Sequence, residues 1–301
     1  MSKTNIEWCT DSINPIIGCS HSGSPGCDHC FAQAMAHRLG HNPNSPQYAG
    51  LTENGIWTGE IRWNESGFQN LLHIPGKCKR VFVGSMTDLF YPKVEDEWLD
   101  RIMAAVALQP QHTFLFLTKR PKRMVIYFND PYVQKRVANK AGISTHFWPG
   151  DGLRWNKWPL KNLWLGVTVC NQAEANEKIP LLLDTPAAKR FVSIEPMLGE
   201  VSLTGIMSGV NDDLDALRGL FFQSDHWNPS NPGVKCEKLD WVIAGSESGP
   251  KARPMNIEWA RIIKDQCIAT DTPFFLKQAT IDGKLVKMPE LDGKVWEQVP
   301  Q

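Results

Sequence analysis

The sequence predicts an α/β protein of repeated strand–helix units, a full or partial (β/α) barrel with long loop insertions. Three observations predict it. Short apolar runs recur along the chain, amphipathic helical patterns lie between them, and polar residues follow the runs at their C-terminal ends. An open doubly wound sheet is the alternative arrangement of the same units.

The apolar runs are 80–84 (RVFVG), 113–118 (TFLFLT), 163–169 (LWLGVTV), 190–194 (RFVSI), 241–245 (WVIAG) and 273–276 (PFFL). Continuous runs of this kind suit parallel strands covered on both faces. Residues 12–18 read as a further strand. Helical patterns occupy 31–39, 95–107, 121–128, 171–183 and 259–269. The second starts acidic and the third carries Pro near its start, both suited to a helix N-terminus. The fourth is expected to hold only up to Pro180. Residues 1–301 read as one domain interrupted near 40–79, 131–161 and 204–238. These stretches are rich in Gly, Pro, Asn, Trp and acidic residues, as lids or inserts are.

Composition narrows the function classes. Lys plus Arg total 32 and Asp plus Glu total 32, so no global positive field draws in nucleic acid. No run of about 18 apolar residues occurs, so no membrane span is expected. The N-terminus lacks a signal-peptide pattern and the cysteines cluster at one end, which together suggest a cytoplasmic protein. Most of the twelve tryptophans are expected in packing, with Trp57, Trp63, Trp148 and Trp155 as candidates for stacking on a base.

The sharpest feature is Cys19, Cys27 and Cys30, spaced Cys-x7-Cys-x2-Cys in a loop of Gly, Ser, Pro and His. Thiolates are soft, charged donors for iron and zinc. Three of them bind three irons of a 4Fe-4S cluster and leave the fourth iron open, which suits chelation by S-adenosylmethionine. Reductive cleavage of the sulfonium would then give a 5′-deoxyadenosyl radical, chemistry that belongs to the cofactor. Two other site readings stay open: zinc completed by His21 or His29, and a cluster closed by Cys9. The corresponding protein would be a zinc- or cluster-stabilised nucleic-acid-binding module without radical chemistry.

The segments Thr4–Trp8, Asn14-Pro15 and Gly18–Ala32 resemble a phage- and bacteria-associated "three-Cys-motif" family that is radical SAM-like. The likeness continues through SMTDLF at 85–90, LTKRP at 117–121, WLGVT at 164–168, SIEP at 193–196, GSESGP at 245–250, ARP at 252–254 and FFLKQ at 274–278. It implies a TIM-type fold, an iron–sulfur cluster and S-adenosylmethionine, without naming a substrate.

Each of the strand-end motifs would deliver polar groups to one rim, the face that carries active sites in barrels. Cofactor contacts are expected from Ser85, Asp88, Lys119, Arg120, Glu195, Ser246 and Glu247. Asp88 or Glu195 would take the ammonium or ribose hydroxyls, and Lys119 or Arg120 the carboxylate. Arg123, Arg253 and Lys277 would add positive charge. Expected partners are a reductant such as flavodoxin or ferredoxin, a nucleic-acid or nucleotide substrate, and a separate partner protein. No membrane partner is expected.

Overall fold

The computed structural model describes residues 2–4, 6–142, 158–209, 212–222, 233–249 and 251–301. The chain divides into two compact units. The first comprises Met1–Ser22, Cys30–Leu165 and Thr185–Lys189, and the second Gly23–His29, Gly166–Asp184 and Arg190–Gln301. Both are mixed α/β.

In the first unit, strands β1 (Asp11–Ile13), β2 (Arg80–Val83) and β3 (Thr113–Thr118) run parallel, with Asp11 opposite Val81 and Arg80 opposite Thr113. A two-residue strand, Ser2–Lys3, pairs antiparallel to β1. Helices α1 (Phe31–Gly40), α2 (Glu65–Leu72), α3 (Asp96–Ala107), α4 (Pro121–Asn129) and α5 (Val133–Lys140) belong to this unit. Acidic Asp96 and Glu97 fill the first turn of α3, where the helix dipole favours them. Strand β4 (Leu163–Val169) then carries the chain from the first unit into the second. All seven of its residues are buried, as the continuous apolar run requires.

In the second unit, β5 (Lys189–Ile194), β6 (Trp241–Gly245) and β7 (Phe274–Ile281) run parallel, with Phe191 opposite Trp241 and Val242 opposite Phe274. Strand β8 (Lys284–Lys287) returns antiparallel to β7 and is exposed along its length. Helices α6 (Gln172–Leu183) and α7 (Ile257–Ile268) are each capped by an asparagine, Asn171 and Asn256, whose side chain accepts a backbone N–H of the first turn. Gly166 lies against the ring of Phe191, and a Cβ there would meet ring atoms at 2.5 Å. Among the described residues, no pairing closes either parallel ladder on itself. Parallel strand–helix architecture is therefore present in each unit, in open form.

One expectation needs correction. Helix α6 does not stop at Pro180 but runs through it to Leu183. Only three residues follow the proline, and burial of Ile179, Leu182 and Leu183 offsets the lost hydrogen bond. Stretch 40–79, expected as an insert, has secondary structure of its own. It holds α2 and short strands, and Tyr48, Leu51 and Trp57 pack with Ile17, Ala32, Ala36 and Met86 in one buried apolar cluster. Stretch 204–238 carries a four-stranded antiparallel meander of Ile206–Met207, Asp213–Asp215, Leu220–Phe222 and Val234–Lys235.

The aromatic stacking candidates fare differently. Trp57 is buried in the cluster just named, so it offers no face to a base. Trp63 is occupied by Phe68, Trp98 and the Arg101 guanidinium, which lies 4.2 Å from its ring centre. Trp148 and Trp155 fall outside the described residues. Among the described residues, no helix is long and apolar enough to cross a membrane.

Candidate metal and cofactor site

The cysteine loop begins where the first unit's chain leaves β1. Gly18 has φ +96° and lies so close to the Glu60 carbonyl that only glycine fits. Its N–H bonds Met86 O at 3.1 Å, and its carbonyl accepts from Thr87 Oγ1 at 2.7 Å. Asn14 Oδ1 accepts Met86 N at 2.8 Å, and Ser12 and Asn14 both bond the Ser85 hydroxyl. Thus Ser85, Met86 and Thr87, the residues directly after β2, hold the entry to the loop.

Cys19 and Cys30 flank the apolar cluster formed by α1 and its neighbours. Burial pushes the Cys19 thiol up to about 11. The Asp88 carboxylate and the Cys30 thiol add to the rise, while Arg120 and the Ser20 backbone oppose it. Cys30 is the N-cap residue of α1. Cys9 sits at the other end of β1, where neighbouring Thr10 N bonds Arg80 O at the start of β2. It is buried, with its thiol donating to Ile6 O at 3.6 Å.

Asp88 is buried beneath this segment. Its Oδ1 accepts from Thr118 Oγ1 at 2.6 Å and Phe90 N at 3.0 Å, and its Oδ2 accepts from Lys119 N at 3.0 Å. Arg120 Nη1 lies 3.4 Å from Asp88 Oδ2 and 3.9 Å from Cys19 Sγ. Arg120 Nη2 donates to Ser20 O at 3.0 Å, Ser20 Oγ at 2.9 Å and His21 O at 3.4 Å. Its guanidinium also lies 4.8 Å from the centre of the Tyr91 ring. Arg123 is used elsewhere: it holds Val94 O and Asp96 at the start of α3.

In the second unit, Ser24, Pro25, Cys27 and Asp28 belong to a short turn braced from two sides. Ser24 Oγ accepts Gly26 N at 3.3 Å and lies 3.9 Å from Cys170 Sγ. Arg253 Nη2 donates to Pro25 O at 2.8 Å, and Nη1 to Asp28 Oδ2 at 3.1 Å. Glu247, just beyond β6, anchors that arginine. Its Oε2 accepts from Arg253 N at 2.8 Å, Arg253 Nε at 3.0 Å and His29 Nδ1 at 2.8 Å, and its Oε1 accepts from Arg253 Nη2 at 2.5 Å.

Desolvation acts to raise the Glu247 pKa, but hydrogen bonds from Arg253 and His29 outweigh it and hold the carboxyl at about 2. The folded state therefore binds this proton more weakly than the unfolded chain. The stabilisation is complete above the ordinary carboxylate range and drains away as pH falls toward 2. Glu247→Gln is expected to lose on the order of 2–3 kcal/mol of stability at neutral pH. It should also flatten the acid limb of a denaturation profile measured between neutrality and strong acid.

A second polar group gathers at the ends of β5, β6 and β7. Ser193 Oγ donates to Glu195 Oε2 at 3.1 Å, and Lys277 Nζ lies 3.1 Å from Glu195 Oε1. Among the described residues, Glu195 Oε1 is buried with Lys277 as its ion-pair partner and has no hydrogen bond. Ser246 is buried and its Oγ likewise has none, while its backbone is fixed by Gln278. Thr168, at the end of β4, is buried with its carbonyl accepting from Lys178 Nζ at 3.2 Å.

The structure thus brings Asp88, Lys119 and Arg120 together in the first unit, with Ser85 bonded instead to Ser12 and Asn14, and in the second it brings Glu195 to Ser193 and Lys277, Ser246 to Gln278, and Glu247 to Arg253. Among the described residues, no three His, Cys, Asp or Glu side chains already converge as a metal group. The Asp88–Thr118 and Glu247–His29 contacts were not legible in the sequence, because nothing in spacing pairs residues 30 or 218 positions apart.

Fold and site together define an α/β protein with a cysteine loop and polar strand ends. The chain belongs to the family described as "Protein of unknown function (DUF5131)", whose model matches residues 3–300. No curated protein matches. Two solved structures of spore photoproduct lyase show limited similarity. One, a mutant with bound AdoMet and dinucleoside spore photoproduct, is 11% identical over 62% of this chain and 45% of that chain, with TM-score 0.34. Another mutant is 12% identical over 91% of this chain and 78% of that chain, with TM-score 0.36. The match spans less than half of the first structure's chain.

Proposed function

We propose that the protein is a radical S-adenosylmethionine enzyme, with residues 1–301 acting as one barrel-type domain. The observation that carries this reading is the set Cys19, Cys27 and Cys30: three half-buried cysteines spaced Cys-x7-Cys-x2-Cys in one short loop. The donor chemistry fits an iron–sulfur cluster, since three soft thiolates leave one iron for an exchangeable ligand. Metal binding would gather the donors, as it does where ligand sites form together with the metal. Cys30 at the N-cap of α1 would set an anionic ligand set against the positive end of that helix.

Cys19, Cys27 and Cys30 would hold the 4Fe-4S cluster. When bound, the cluster with S-adenosylmethionine supplies reductive cleavage of a sulfonium, with electrons from a flavodoxin- or ferredoxin-like reductant. The chain's part is to bind and orient. Ser246, whose hydroxyl has no hydrogen-bond partner among the described residues, would accept from or donate to a cofactor hydroxyl or amino group, and Glu195, paired with Lys277, would accept from one. Lys119 would pair with the carboxylate, and Ser85 would fix the backbone beside it. Asp88, Arg120 and Glu247 have their polar atoms committed within the protein, and their part is indirect. The substrate would be a nucleic acid or nucleotide, in a cytoplasmic setting.

The test is anaerobic reconstitution with iron and sulfide, followed by reduction with dithionite in the presence of S-adenosylmethionine. Brown protein that bleaches on reduction and releases 5′-deoxyadenosine is the expected result. Zinc without iron, or a cluster that leaves S-adenosylmethionine intact, would overturn the reading.

A further inference from the structure

Two arginines, one in each unit, treat the cysteine loop alike. Arg120 reaches the Cys19 end, where its Nη2 takes the carbonyls of Ser20 and His21. Arg253 reaches the Cys27 end, where its Nη2 takes the carbonyl of Pro25 and its Nη1 the carboxylate of Asp28. Each arginine is backed by a buried carboxylate, Asp88 or Glu247, that is itself fixed by further donors. Each carboxylate comes from the residues following a parallel strand, β2 or β6. The planar guanidinium fork is what permits one side chain to hold carboxylate and loop together, which an ammonium does less well.

Surface ion pairs contribute little to stability, and an arginine on an exposed loop is ordinarily one of them. These two differ. Asp88 and Glu247 side chains are only 9% and 4% exposed, so removing either guanidinium would strand a buried charge. Both arginines also spend donors on loop carbonyls rather than on water. Carbonyl-directed bonds fix backbone position whatever side chains the loop carries, which is what a ligand loop requires before its metal arrives.

We infer that Arg120 and Arg253 are positioning residues of the cysteine loop, Arg120 pinning the Cys19 end and Arg253 the Cys27 end, so that the thiols are pre-set for metal. The metal part of this inference rests on the proposed function; the pinning does not. The experiment therefore has two readouts. The first is hydrogen–deuterium exchange by mass spectrometry on the metal-free full chain. Arg253→Met is expected to speed exchange of amides 23–29 by at least about tenfold, and Arg120→Met that of amides 19–22, each leaving the other segment and strand β6 unchanged. Arg253→Lys should rescue only in part, because it keeps the charge and loses the fork. Glu247→Gln, of similar size, should loosen residues 23–29 to an intermediate degree.

The second readout is titration with cobalt(II), a spectroscopic probe of thiolate ligation. Its dissociation constant should rise at least about tenfold in either methionine variant. Should a methionine variant unfold, Arg253→Lys and Glu247→Gln decide the matter at the Cys27 end. Acceleration confined to the loop supports pinning; none, or uniform acceleration through the second unit, overturns it. Loop-confined acceleration in the variants, beside a wild-type chain that binds no cobalt, would leave the pinning standing and remove the metal reading. Unchanged cobalt affinity beside a loosened loop would overturn the claim that pinning pre-sets the thiols.

Discussion

On the proposed function, serine in place of Cys27 is expected to lower bound iron after anaerobic reconstitution by at least about tenfold, and Cys19→Ser and Cys30→Ser to do the same, because the alcohol stays protonated where a soft thiolate is needed. Cys78→Ser and Cys236→Ser, at exposed positions, are expected to retain full iron and serve as controls. Iron and acid-labile sulfide are measured on each protein alongside a circular dichroism spectrum. Equal iron in the loop variants and the wild type would remove the basis of the proposed function. Loss in only one or two of the three would redefine the ligand set.

Alanine in place of Gly18 destabilises the first unit by about 2–5 kcal/mol, combining the cost of a side chain at positive φ with that of overpacking. A Cβ at this position would sit 2.2 Å from Glu60 O and 3.1 Å from Ile61 Cα, both backbone atoms that cannot swing aside. The peptide is also held at both ends, by Met86 O and Thr87 Oγ1, so retreat would break those bonds. A fall in melting temperature on the order of 10 °C is expected by calorimetry. Gly23→Ala is the informative contrast. Gly23 has φ +88° but open space around its Cβ direction, so only the conformational part, about 1–2 kcal/mol, should appear. Equal melting temperatures for the two variants would show that the contact with Glu60 carries no weight.

The parallel strands were legible because burial on both faces demands an unbroken apolar run, and β3, β4 and β6 match their sequence runs. Helix α2 was not, since Ser66 and Gly67 are poor helix formers. Gly67 is nevertheless required there: a Cβ would meet Asn14 O at 2.1 Å, so tertiary contact overrides propensity. The C-terminal hairpins had a signal that went unread. Asp282-Gly283 and Asp292-Gly293 both adopt positive φ at the turns, as Asp-Gly does in tight hairpins. The three cysteines stood out by spacing alone. Asp88, Arg120, Glu247 and Arg253 also stood out at strand ends, but as cofactor contacts and added charge; that they brace the loop was not legible, because nothing in the sequence pairs Arg253 with Glu247 or Pro25.

Strand β8 has a bearing on how the molecule behaves in a crowded solution. Among the described residues it pairs only with β7, so its outer row of amides and carbonyls is a template on which a second chain could lay a strand. Exposed Leu285 and Val286 would reward such growth, and the flanking Lys284 and Lys287 oppose it by setting like charges against each other. Those two lysines stand where gatekeepers do, so replacing both with threonine is expected to raise fibrous association at high concentration, read by light scattering.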